Sequence, residues 1–171
     1  KMKIGYPCIN RSIGCSSNKK FRLANFTEEK FNETVKNNLN CLDKIIDYNV
    51  ENDMLFLRIS SETIPFASHE VCNLDWKKTF KKELENIGMK LRERKFRVSM
   101  HPGQFTLLNS PSKKIVEKSL AELEYHADLL DAMSLDNTAK IQIHVGGVYG
   151  DKDSAIERFI STFGIASKKI T

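Results

Sequence analysis

Met54-Leu55-Phe56-Leu57-Arg58-Ile59 is a nearly continuous apolar run of strand length. A run of this kind is expected of a parallel strand covered on both faces. Upstream, Phe31, Val35, Leu39, Leu42 and Ile46 recur at helical spacing, so one amphipathic helix runs to about Asn49. Thr27 reads as its N-cap, with Glu28 and Glu29 favourable in the first turn. Further upstream, Lys3-Ile4-Gly5-Tyr6 reads as a strand stopped by Pro7, and the polar stretch 8–25 reads as a long loop.

Downstream the same alternation continues. A loop holding Pro65 and His69 leads to a helix over about 75–94, and Phe96-Arg97-Val98-Ser99-Met100 makes a third strand. Pro111-Ser112 opens a helix with Val116, Leu120, Leu123, Ala127 and Leu130 on one face. Lys140-Ile141-Gln142-Ile143-His144 reads as a fourth strand broken by Gly146-Gly147. Ala155, Ile156, Phe159, Ile160 and Phe163 mark a fourth amphipathic helix, and 167–171 reads as the approach to a fifth strand. Four βα units and the start of a fifth imply an α/β protein with a parallel sheet. An open doubly wound sheet and a (β/α)8 barrel both begin this way. No dinucleotide glycine fingerprint follows the first strand, and no G-x-x-x-x-G-K-[ST] loop is present. A barrel needs eight units, so the expectation is a single domain, 1–171, that forms the N-terminal part of a longer barrel.

Composition narrows the class. The chain has 171 residues, 27 Lys+Arg against 22 Asp+Glu, and a net charge of +5, which is ordinary for a soluble globular protein. No apolar run reaches the roughly 18 residues of a membrane span, and the N-terminal residues lack a secretory h-region. A cytoplasmic or nucleoid-associated protein with no membrane partner is expected. Cys8, Cys15, Cys41 and Cys72 form no C-x-x-C pair, so the expectation is free thiols in a reducing compartment. The positive charge fits a polyanion partner without requiring one. The basic runs 19–22, 77–82, 92–97 and 168–169 each read, taken singly, as solvated helix faces or element ends rather than as a polyanion site.

Three histidines occupy equivalent places. His69 lies in the loop after strand two, His101 follows strand three, and His144 ends strand four. Side chains at the carboxyl ends of parallel strands converge on one rim, where active sites are built. Neutral imidazole is a common ligand of borderline divalent cations. Three imidazoles on one rim therefore suggest a metal site, whereas mid-helix His126 reads as a surface or packing residue. In His101-Pro102-Gly103-Gln104-Phe105, an amide stands beside an aromatic ring that can stack on or wedge against a nucleobase. The glycine-rich 144–152 loop leads into a helix N-terminus, a geometry suited to phosphate. Tyr6 and Asn10 flank the end of strand one on the same rim.

Four of these segments together resemble the UV-damage endonucleases. They are Gly5-Tyr6-Pro7-Cys8-Ile9-Asn10, Arg58-Ile59-Ser60-Ser61 with Pro65 through His69, Ser99 through Phe105, and His144 through Lys152. The resemblance covers essentially the whole chain, in order and at fitting separations. It implies a TIM barrel of endonuclease IV type with a cluster of divalent metals, manganese foremost and magnesium, zinc or cobalt as alternatives. It also implies incision of double-stranded DNA immediately 5′ to UV photoproducts and some other lesions. By motif, His101 and His144 would be metal ligands and His69 an active-site residue near them. Gln104 and Phe105 would probe the damaged bases, and Tyr6 and Asn10 would contact the lesion or its flanking backbone. Phe105 stands where the family often has tyrosine, which keeps stacking and loses a hydroxyl. The family's second half, with further carboxylate and histidine ligands, would come from a longer chain, and a half barrel alone would expose strand edges and apolar sheet surface. Two other classes share some of these features. A metal-dependent sugar isomerase or epimerase would use strand-end histidines in the same barrel, but needs neither the Gln104-Phe105 wedge nor positive charge. A non-catalytic damaged-DNA-binding module would use the wedge without the metals.

Overall fold

A computed structural model describes residues 2–170, with side chains described through Ala166. Four strands, β1 (Gly5–Pro7), β2 (Phe56–Ile59), β3 (Arg97–Met100) and β4 (Lys140–Ile141), form one sheet in the order β1-β2-β3-β4. Every pairing is parallel, with Tyr6 opposite Leu57, Leu57 opposite Val98, and Met100 opposite Ile141. The crossovers carry α1 (Glu28–Glu51), α2 (Trp76–Thr79), α3 (Lys81–Glu93) and α4 (Lys113–Ala132), and α5 (Lys152–Ile170) follows β4.

The main core lies between the helices and one face of the sheet. Leu57, Ile59, Val98 and Met100 point into it and pack with Phe31, Leu39, Ile46, Leu84, Leu91 and Leu129, all at most 3% exposed. Thr27 caps α1 by accepting the Lys30 N–H at 3.1 Å. At Gly88 a Cβ would overlap the Met133 carbonyl, so only glycine lets α3 come this close to the end of α4. The helix expected over 75–94 is instead two, joined at buried Phe80, whose ψ of 22° departs from helical geometry.

Four expectations are revised. The apolar run at β2 is covered on one face only, because Leu57 and Ile59 are buried while Phe56 and Arg58 are half-exposed. The opposite sheet face is not apolar. Alternation and register place Phe56, Arg58, Arg97, Ser99, Lys140 and Gln142 there, so three cations share it. Exposed apolar residues gather on α5 instead, at Ile160 and Phe163 among others. The fourth strand is shorter than expected. The Gln142 N–H still reaches the Met100 carbonyl at 2.9 Å, but pairing ends there, since Gly146 turns away at φ 95°. The stretch 167–171 does not form an approach to a fifth strand within the described residues. α5 continues through Ile170, with no proline to stop it, and Thr171 lies outside the described residues.

The free-thiol expectation holds for Cys8 and Cys72 but not for the other pair, because Cys15 and Cys41 form a disulfide. It ties the long 8–25 loop to α1. A second tie is Asn38, fully buried in the middle of α1. Its Oδ1 accepts the Lys19 N–H at 2.9 Å, and its Nδ2 donates to the carbonyls of Lys19, Glu62 and Thr63 at 2.9–3.2 Å. One side chain thus pins both the loop after β1 and the loop after β2.

Alkylation of the unreduced protein is expected to label two cysteines, and reduction to cost about 3 kcal/mol from the loss of a loop constraint of this length. Asn38→Ala is expected to cost about 3 kcal/mol in urea unfolding, because it strands several buried backbone groups at once.

Candidate active site at the strand-end rim

The loops that leave the carboxyl ends of the strands enclose a cleft of about 1050 Å³. Cys8 lines it from the β1 loop, Phe66 and His69 from the β2 loop, His101 and Phe105 from the β3 loop, and Lys114 and Lys118 from α4. The backbone around it is under local strain. Among the described residues six non-glycines have positive φ; Asp53, Lys95 and Ser134 sit just past helix ends, where that conformation is usual. The other three, Cys8, Phe66 and Tyr149, all lie in rim loops, and a bulky residue such as Phe66 at φ 62° is costly there.

His101 and His144 meet edge to face, with ring centroids 4.6 Å apart. The Nδ1 of His101 lies 2.7 Å from the Pro102 carbonyl, which can only accept, so Nδ1 carries the hydrogen. The lone pair is then on Nε2. This is the arrangement a metal-ligating histidine uses, with its far nitrogen anchored to a carbonyl. His69 has the opposite tautomer. Its Nδ1 accepts the Val71 N–H at 3.0 Å, so the neutral ring keeps its hydrogen on Nε2. His69 is thus a hydrogen-bond donor beside His101, and its ring stands edge-on to Phe66. Among the described residues, no group of three or more His, Cys, Asp or Glu side chains is placed to hold a metal ion. The three strand-end histidines therefore resolve into one close pair plus a neighbour across the cleft. The donor chemistry of the pair fits a borderline divalent ion, of whose coordination two imidazoles would make only a part.

Phe105 is 80% exposed at the cleft, and Gln104 beside it is also exposed. Tyr6 and Asn10 are engaged with each other away from the cleft lining. The Tyr6 hydroxyl donates to Asn49 Oδ1 at 2.6 Å and accepts from Asn10 Nδ2 at 2.6 Å. Asn10 is 7% exposed, and burial raises the Tyr6 hydroxyl above its usual pKa. The phosphate reading of the 144–152 loop is not met. The Asp151 carboxylate occupies the N-terminus of α5, accepting from the Asp153 N–H and the Ser154 hydroxyl, and the Ser154 bond holds its pKa low. Nor do most basic runs face the cleft. Lys77 pairs with Asp128 at 2.8 Å, and Arg92 donates to the Met133 and Ser134 carbonyls, whereas Lys20 of the first run lines the cleft.

His126 is not a surface residue, being fully buried. Its Nδ1 lies 2.7 Å from the Glu122 carbonyl and its Nε2 lies 3.0 Å from Ser61 Oγ, at the head of the β2 loop. Tyr125 next to it donates to the Ser61 carbonyl at 3.0 Å and accepts the Ile64 N–H at 3.2 Å. Both side chains were hidden from sequence reading because the alternation of α4 shows only which residues are apolar. The available signal was the adjacency of two hydrogen-bonding aromatics on the core side of a helix.

A parallel α/β sheet with imidazoles paired at its carboxyl-end rim defines a barrel-type strand-end site. The chain belongs to the UV-endonuclease UvdE family, whose profile matches residues 2–171. It is 43% identical over 162 residues to the UV DNA damage endonuclease of Clostridium perfringens (strain 13 / Type A), covering 95% of this chain and 39% of that protein. It is 37% identical over 132 residues to the enzyme of the same name from Bacillus cereus (strain 03BB102), covering 77% and 42%. The crystal structure of SacUVDE superposes with a TM-score of 0.95 at 41% identity, over 99% of this chain and 58% of that one. The chain thus spans about two fifths of the length of these curated relatives. No helix among the described residues is long and apolar enough to cross a membrane.

Burial holds the His126 pKa below its usual value, against the opposing pull of Glu122. The unfolded chain then binds the proton more readily than the folded one. This contribution to stability is complete above about pH 6.5 and is lost as pH falls toward the lower folded value. Unfolding followed between pH 7.5 and 5 is expected to show this loss, and His126→Gln is expected to flatten it.

Proposed function

We propose that this chain serves DNA repair as part of an endonuclease that hydrolyses the phosphodiester bond immediately 5′ to UV photoproducts and some other lesions in double-stranded DNA. The observation that carries the reading is the His101–His144 ring pair at the rim, with His101 lining the same cleft as the exposed Phe105 ring. Kinship with proteins named UV DNA damage endonuclease supports it.

His101 offers its Nε2 lone pair and His144 its ring at the rim. A divalent ion held between them, manganese foremost with magnesium, zinc or cobalt as alternatives, would lower the pKa of bound water and offset phosphate charge. Completion of its coordination falls to groups beyond the two imidazoles. His69 donates a hydrogen bond to a non-bridging oxygen or to the leaving oxygen. Gln104 and Phe105 enter the space left when damaged bases are splayed out. Photoproducts stack and pair weakly, so that deformation costs less at a lesion than in intact duplex. Tyr6 and Asn10 would first have to exchange their mutual hydrogen bonds for DNA contacts. Lys20, Lys114 and Lys118 attract the backbone without regard to sequence.

The test is binding of the chain to a duplex with one defined thymine dimer, compared with the undamaged duplex. Preference for the lesion is expected, weakening as salt rises. Phe105→Ala is expected to cut that preference about tenfold, in keeping with about 1–3 kcal/mol per stacked base. Equal binding to both duplexes overturns the reading. Incision by this chain alone is expected to be weak or absent, because two imidazoles retain an ion poorly.

A further inference from the structure

The ring of His101 is aimed by a chain of contacts that begins at the head of the β2 loop, and we infer that Ser61 is a positioning residue for the His101 imidazole. The inference rests on the metal-site reading above and extends it to residues that touch neither DNA nor metal.

The links are consecutive. His126 is fixed to its own helix by the 2.7 Å contact of Nδ1 with the Glu122 carbonyl. Its Nε2 meets Ser61 Oγ at 3.0 Å. Ser61 Oγ donates to the His101 carbonyl at 2.7 Å. The next residue is Pro102, buried and locked in φ by its ring, so fixing the His101 carbonyl leaves only the ψ of Pro102 to set where its own carbonyl points. That second carbonyl takes the His101 Nδ1–H at 2.7 Å. Ser61 therefore holds one carbonyl, the ring holds the next, and the proline between them transmits the constraint. The outcome is a fixed tautomer with the lone pair on Nε2. Tyr125 steadies the same loop through the Ser61 carbonyl.

Hydrogen counting shows why both partners matter. His126 spends its Nδ1 hydrogen on Glu122, so the neutral ring presents a bare Nε2. The single Ser61 hydroxyl hydrogen then stands between two acceptors, and the contact with His101 is the shorter. One hydroxyl hydrogen is thus divided between the β3 exit and α4, with its shorter arm on the His101 carbonyl.

The test uses the 171-residue chain, with long-range ¹H–¹⁵N spectra of the histidine rings and titration with Zn²⁺ alone. Wild type is expected to show His101 as the Nδ1–H tautomer. Ser61→Ala is expected to give a tautomer mixture and to weaken Zn²⁺ binding about tenfold, the usual scale for a partner of a ligating histidine. Ser61→Thr, which keeps the hydroxyl, is expected to restore both. An unchanged His101 tautomer in folded Ser61→Ala, or a Thr variant as impaired as Ala, overturns the proposal. Should wild type fail to bind Zn²⁺, the metal reading falls while the tautomer spectra still decide the positioning role.

Discussion

The parallel register of the sheet is the constraint from which the rest follows. Because β1 to β4 all run one way, every crossover leaves from the same rim, and loops far apart in sequence must share it. Period-two alternation then sorts the side chains. Leu57, Ile59, Val98 and Met100 go to the helices, while Arg58, Ser99 and Lys140 go to the other face. His101 and His144 follow the exits of the neighbouring strands β3 and β4, which is why they meet although 43 residues separate them. The pairing of the imidazoles is thus a consequence of strand direction and register rather than of any local motif.

Much of this was legible in the sequence. The apolar periods marked α1 and α4, the strand exits marked His69 and His101, and Thr27 marked its helix start. What escaped has a physical pattern of its own. Asn38 sits between Val35 and Leu39 in the apolar stripe and looks like an interruption, yet its amide is what that stripe carries to the backbone of two loops. His126 was obscure because burial of a polar ring depends on partners from elsewhere in the chain, here Ser61, 65 residues away. The Cys15–Cys41 bond escaped because compartment arguments address the average protein, whereas pairing depends on how the 8–25 loop lies against α1. β4 was read too long since apolar residues after Ile141 look like strand whether or not a neighbour is there to pair with.

The two strand-end histidines facing the cleft show how backbone contacts divide labour between like residues. Val71 gives a hydrogen to His69 at Nδ1, and Pro102 takes one from His101 at Nδ1. The same imidazole becomes a donor in one place and a lone-pair ligand in the other, with no difference in side-chain chemistry. That difference came from one N–H and one C=O in the loops, and so from the turns that Phe66 and Pro102 impose.

The open face of the sheet carries the remaining argument. Arg58 gives one nitrogen to Gln142 Oε1 at 2.9 Å, but its Nε and the neighbouring Ser99 Oγ are buried without a partner. Lys140 shares their register level, and Arg97 lies one layer down. Buried donors left unmatched cost free energy, so a surface that covers this layer stabilises it only by bringing acceptors. A second copy laid face to face would set these cations against their own kind, and apolar strands would leave the donors stranded. The chemistry of the face therefore selects for carboxylate or carbonyl oxygens opposite Arg58 and Ser99.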